Sequence, residues 1–186
     1  MKDLIIDAAA RLFTDKGYYC TSMEDVAKEA GVAKGSLYYH FKNKSQLFLE
    51  TVLSGIDYFS EKIISIRDSG KTVPETAEKI IRLMVDIFED NRIIADMVMT
   101  DTDAGIDFDT SEEIKAAKAK LICLIANVLD EGIGCGEIRQ CDAQPTATAS
   151  ALYIYTYCRA KKPESSVDRD IMAKQIEDLL LCGLLK

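Results

Sequence analysis

Lys34, Ser36, Tyr38, Tyr39, His40 and Lys44 crowd into the stretch Lys34-Gly35-Ser36-Leu37-Tyr38-Tyr39-His40-Phe41-Lys42-Asn43-Lys44. These are hydrogen-bond donors and aromatic faces, not the acid, base and nucleophile of a reaction. A lysine can donate to guanine O6 or N7, and hydroxyls reach phosphate oxygens. Gly35 has no side chain to keep a backbone away from a base edge. The chemistry on offer is recognition of a nucleic acid. An enzyme has less to work with. The only histidine of the chain, His40, lies inside this stretch, and neither a G-x-S-x-G nor a Walker motif is present. A calcium loop is suggested by Asp101, Asp103 and Glu112, but Ile106 stands where that loop needs glycine. An acidic solvated loop capping the next helix through Thr110 and Glu113 explains the segment better. No catalytic residue, metal site or cofactor is expected.

The elements that must position these side chains can be read from periodicity. Met23, Val26, Ala27 and Ala30 recur at i, i+3, i+4 and i+7, which places one apolar stripe on a short helix. Thr21 or Ser22 would cap it, with Glu24 or Asp25 completing a capping box, and either hydroxyl can meet a phosphate at that helix start. Gly31 supplies the positive φ of a sharp reversal. The polar-aromatic helix from about Ala33 to His40 follows, with Leu37 and Phe41 as core. A preceding helix from about Lys2 to Lys16, ended by Gly17, carries Leu4, Ile5, Ala8, Ala9, Leu12 and Phe13 on one face. Helix, glycine turn and second helix make a helix-turn-helix.

The phrases Asp25-Val26-Ala27-Lys28-Glu29-Ala30-Gly31-Val32 and Gly35-Ser36-Leu37-Tyr38-Tyr39-His40-Phe41-Lys42-Asn43-Lys44 closely resemble the N-terminal domain of the tetracycline-repressor (TetR) family of transcriptional regulators. The resemblance spans about residues 3 to 50, and the rest of the chain fits in length and helical character. It implies a recognition helix in the major groove, with Lys34, Gly35, Ser36 and Tyr38 near base edges. Tyr39, His40 and Lys44 would hold phosphates, together with Thr21 and Ser22. The family commonly places Ser or Thr at the N-cap of that helix, where this chain has Ala33. Alanine cannot accept the orphan amide bonds, so the helix should fray in the free protein.

Net charge is −8, yet residues 1 to 45 carry seven basic against six acidic side chains and the remainder sixteen against twenty-five. Only the N-terminal part suits a polyanion, and its small surplus favours a dimer that pools two heads. The expected division is residues 1–46 for DNA binding and 47–186 for effector binding and dimerisation, in an all-α chain of about nine helices. A long helix from Ser45 to about Ser69 would join the two parts. Pro74 looks like the first residue of a fifth helix, about Pro74 to Asn91, and a sixth runs from about Ile93 to Thr100. A seventh is expected from about Ser111 to Glu131. Residues 143 to 160 alternate like a strand at Leu152 to Cys158, but a lone strand would have no partner, so helix is the choice. Val167 to Leu184 completes the set.

The resemblance further implies a homodimer through helices 8 and 9, an operator of double-stranded DNA, and a small-molecule effector. Phe59, Ile63, Phe88, Met97, Cys123, Tyr153 and Tyr157 are the candidate effector contacts, and their character suggests an apolar or cationic ligand. No membrane span or signal-peptide pattern is present, so a cytoplasmic location is expected. The six cysteines form no CxxC pair. Cys135 and Cys141 sit near a glycine-rich loop, which leaves a redox-responsive regulator as the alternative reading, with a helical enzyme behind it.

Overall fold

The structure, a computed structural model, describes residues 1–99, 108–160 and 168–185, with the side chains of 93, 94, 97, 98 and 108–111 outside that description. Nine helices are found among them: α1 (Lys2–Lys16), α2 (Met23–Glu29), α3 (Lys34–His40), α4 (Lys44–Arg67), α5 (Val73–Asp90), α6 (Arg92–Met99), α7 (Phe108–Cys135), α8 (Ala143–Ala160) and α9 (Arg169–Leu184). The architecture is all-α, and the alternating Leu152 to Cys158 run lies wholly inside α8. The acidic segment from Asp101 to Asp107 and the Thr110 cap fall outside the described residues or side chains.

Helix starts correct several local expectations. Asn43 caps α4, since its Oδ1 accepts from the Gln46 amide at 2.8 Å, while the Ser45 hydroxyl instead meets the Tyr18 hydroxyl at 3.0 Å. Thr72, just before α5, and Glu75 in its first turn bond each other reciprocally, and the helix opens at Val73, so Pro74 sits second in it, not first. Its missing N–H is still among the amides a helix start leaves unpaired. The cap of α9 is Asp168.

The helices gather into two compact units. One comprises Met1–Tyr58 with Asn91–Lys118, the other Phe59–Asp90 with Ala119–Lys186. In the first, Phe13 and Phe48 meet edge to face at 5.3 Å, and Tyr18 packs against both at 5.8 and 5.1 Å. Ile5, Phe13, Leu37, Phe41, Leu47 and Phe48 are shut off from solvent. Burying such side chains stabilises by roughly 1.5–3 kcal/mol each, and here it locks α1, α3 and the start of α4 into one body.

In the second unit α5 packs on α8 and α9. Phe88 meets Tyr155 edge-on at 5.9 Å. Arg82 of α5 reaches Asp170 and the buried Glu177 of α9, with its Nε 3.0 Å from Oε1 of Glu177. That approach is off the hydrogen-bond direction, because Oε1 has no bonded partner; Oε2 accepts from Nη2 at 3.4 Å. The last turn of α7, which runs past the expected end at Glu131, needs Gly132, where an added Cβ would lie 2.7 Å from Ile138 Cδ1 and 2.8 Å from Val73 Cγ1.

Candidate functional site

The candidate recognition surface is built on α2 and α3. Ser22 caps α2 by accepting from the Asp25 amide at 3.1 Å, while Asp25 accepts from the Ser22 amide and hydroxyl at 3.1 and 2.6 Å. Those bonds, the Ser22 hydroxyl first, hold the Asp25 carboxyl below its usual range. Gly31 takes φ 67° between the helices, a conformation that glycine adopts without a Cβ clash. Its amide and that of Val32 close the turn on Lys28 and Ala27 carbonyls.

The seven-residue α3 has a clear inner and outer side. Leu37 is 0% exposed, whereas Tyr38 and Tyr39 are 46% and 85% exposed. Lys34 and Gly35 are also exposed, Ser36 and His40 partly so, and nothing crowds Gly35 within 4 Å. Tyr39 and His40 touch edge to face at 5.2 Å. Ala33 occupies the N-cap with no side-chain bond to the helix amides. A short helix that spends one hydrophobic residue on the core and leaves two phenols in solvent is shaped to touch something outside the chain.

Two of the nine candidate DNA contacts stand elsewhere. Thr21 is buried, and its hydroxyl lies 2.8 Å from the Gly17 carbonyl and 3.2 Å from that of Leu12. It ties the α1–α2 turn and is not offered to a phosphate. Lys44 is likewise turned inward. Its Nζ donates to the Tyr18 and Thr21 carbonyls at 3.0 and 3.1 Å and sits 4.4 Å over the Tyr18 ring. Position in the chain placed both near the surface, but the carbonyls left over by the turn captured them. Ser22, Lys34, Gly35, Ser36, Tyr38, Tyr39 and His40 share the solvent-facing part of the helix-turn-helix. Sequence reading gave Glu24 only a capping role and missed its Oε1 lying 3.0 Å from Nζ of Lys34, and it missed Tyr18; an acid ten residues before a lysine gives no periodic signal.

The effector contacts fare differently. The second unit holds an apolar cleft of about 50 Å³, on a scale where one water needs roughly 10–15 Å³. Ile80 and Met84 of α5, Leu129 of α7, Ile154 of α8 and Leu181 of α9 line it, with Ser150 its polar side chain. Phe59, Ile63, Phe88, Cys123, Tyr153 and Tyr157 do not. Phe59, Ile63 and Phe88 are buried in packing, and Cys123 is exposed. Tyr153 stacks near Tyr157 at 5.9 Å, and the Tyr157 hydroxyl donates to Gln175 at 2.6 Å. Met97 lies outside the described side chains. Cys135 and Cys141 are both free thiols, and among the described residues no group of His, Cys, Asp and Glu is placed to hold a metal ion. No helix among them is long and apolar enough to cross a membrane.

A capped helix, a glycine turn and a solvent-facing aromatic helix, braced by α1, define a helix-turn-helix head. Residues 5–51 match the family described as bacterial regulatory proteins, tetR family. The uncharacterized HTH-type transcriptional regulator YhgD of Bacillus subtilis is 28% identical over 98% of this chain and 96% of its own. The biofilm operon icaADBC HTH-type negative transcriptional regulator IcaR of Staphylococcus epidermidis is 33% identical over 48% of each chain. Among solved structures, FadR of Bacillus subtilis in complex with stearoyl-CoA superposes with a TM-score of 0.80 at 21% identity, covering 98% of this chain and 99% of that one. The N-terminal head, residues 5–51, is thus similar to that of the TetR family of helix-turn-helix transcriptional regulators, and the whole chain shares its fold with FadR.

Proposed function

We propose that this chain is a ligand-responsive repressor, with residues 1–46 reading a pseudo-palindromic operator and residues 47–186 binding an effector and forming an isologous dimer through α8 and α9. The observation that carries the DNA reading is α3 itself: Leu37 anchors it while Tyr38 and Tyr39 stand in solvent beside Lys34 and Gly35. Lys34, Gly35, Ser36 and Tyr38 approach base edges, and Ser22, Tyr39 and His40 hold phosphates. Two-fold pairing supplies the second head that a weakly basic domain needs. Exposed Leu152 and Leu179 on α8 and α9 support that interface.

The cleft of the second unit supports an effector whose buried part is hydrocarbon, since its lining is almost wholly aliphatic. The stearoyl-CoA held by the structurally similar FadR makes an acyl-CoA the first compound to try, with the acyl chain inside and the charged head in solvent. Release from DNA then requires only that the ligand favour a state in which the heads no longer fit successive grooves. The test is to enrich duplexes from a randomised pool with the full chain and to add acyl-CoAs of increasing length to the complex. Loss of the shifted band on addition supports the reading; binding that no acyl-CoA alters removes the effector class, and failure to enrich any duplex removes the repressor.

A further inference from the structure

We propose that Glu24 is a specificity-determining residue of the head: its carboxylate withholds Lys34 from the phosphate backbone and yields it only to a base edge in the groove. This rests on the DNA-binding reading above. Oε1 of Glu24 lies 3.0 Å from Nζ of Lys34, joining the first turn of α2 to the first residue of α3. The two side chains are 53% and 64% exposed, so the tether is weak and exchangeable. It cannot block a strong contact, but it competes with a diffuse one.

A phosphate on an arbitrary duplex offers Lys34 a single mobile charge, and taking it leaves the Glu24 carboxylate facing a polyanion. A guanine edge offers O6 and N7 together at a fixed place beside the N-terminal end of α3. The lysine therefore changes partners at a matching base and stays with Glu24 elsewhere. Other cations of the head are restrained in the same sense. Arg11 pairs with Glu29 at 3.4 Å and Lys2 with Glu50 at 2.5 Å, and Lys44 is spent on backbone carbonyls. With four of its seven basic side chains so engaged, the head has less charge to spare for sequence-independent binding, and base readout carries a larger share of its affinity.

The experiment titrates the full-length protein and its Glu24→Gln variant onto two duplexes, one of random sequence and one enriched by the parent protein from a randomised pool, across a series of KCl concentrations. On the random duplex the variant should bind severalfold more tightly, with the slope of log K against log salt steeper by about 0.9 for each head that gains a phosphate. On the enriched duplex the slope should not change, so the ratio of the two affinities narrows. In a Lys34→Met background the Glu24→Gln effect should vanish. Equal gains on both duplexes, or a gain that survives without Lys34, mean that the carboxylate acts as a general repulsive charge and overturn the proposal. Failure of the parent to enrich any duplex is a separate result, which removes the DNA-binding reading beneath it.

Discussion

Lys44 and Ser22 illustrate how a single polar side chain in this head divides its duties. Lys44 donates to two backbone carbonyls and covers the Tyr18 ring, which couples the α1–α2 turn to the start of α4. Lys44→Met should cost about 1–2 kcal/mol in urea unfolding, while leaving the salt slope of DNA binding unchanged. A slope shallower by about one phosphate would instead reveal a contact that forms only on DNA. Ser22 carries the α2 cap, and its bonds to Asp25 depress that carboxyl. A carboxyl with a folded pKa below its unfolded value stabilises above the unfolded pKa and loses that contribution as pH falls through the folded one. The cap should therefore hold at neutral pH and weaken below the ordinary carboxylate range. Ser22→Ala should move the Asp25 titration, followed by carboxyl NMR, upward toward 3.8, the unperturbed value.

At the scale of helices, α3 and the α5–α9 pair are opposite cases. The first is short, lacks a side-chain N-cap, and owes its place to Leu37 in the core. Ala33→Ser should supply the missing bond, stabilise the head by about 1 kcal/mol, and slow amide exchange at Ser36 in the free protein. Equal protection in parent and variant would show that packing alone already holds the helix firm. The α5–α9 pair is held by buried charge. Glu177 is only 2% exposed along its side chain, so Arg82→Met would strand a carboxylate away from water. The expected loss is about 2–3 kcal/mol, below the usual figure for a broken buried pair because Lys174 remains 3.7 Å away. Thermal unfolding of the variant, compared with Arg82→Met combined with Glu177→Gln, checks it: the second change should recover part of the loss.

On the proposed reading, the decisive quantity for the molecule as a whole is how many heads meet one operator. Leu179 is 61% exposed on α9, more than a helix needs to leave open when it has only its own subunit to cover. Leu179→Glu should shift the protein to monomers in light scattering and weaken operator binding by at least tenfold, because each head then binds without the other's help. A monomeric variant that still binds at parental strength would separate DNA binding from pairing. The exchange proposed at Glu24 belongs to the same scale, since two restrained heads would give two increments of specificity.

The helix-turn-helix was legible from residue order alone because its signals are local. Apolar residues at helical spacing, Gly17 and Gly31 at reversals, and a serine three residues ahead of an acid each act within one or two turns of chain. Helix was the choice for residues 143 to 160 because a lone strand would have no partner, and the missing cap at Ala33 stood out against the family's usual Ser or Thr. What residue order could not decide was which distant groups would compete for a side chain. Thr21 and Lys44 went to carbonyls freed by a turn, Ser45 went to Tyr18, Lys34 met Glu24, and aliphatic side chains from four helices surround the cleft while the aromatic candidates pack elsewhere. Those outcomes depend on how helices far apart in sequence come together, and hydrogen bonds and close packing act over a few ångströms of space whatever the separation along the chain.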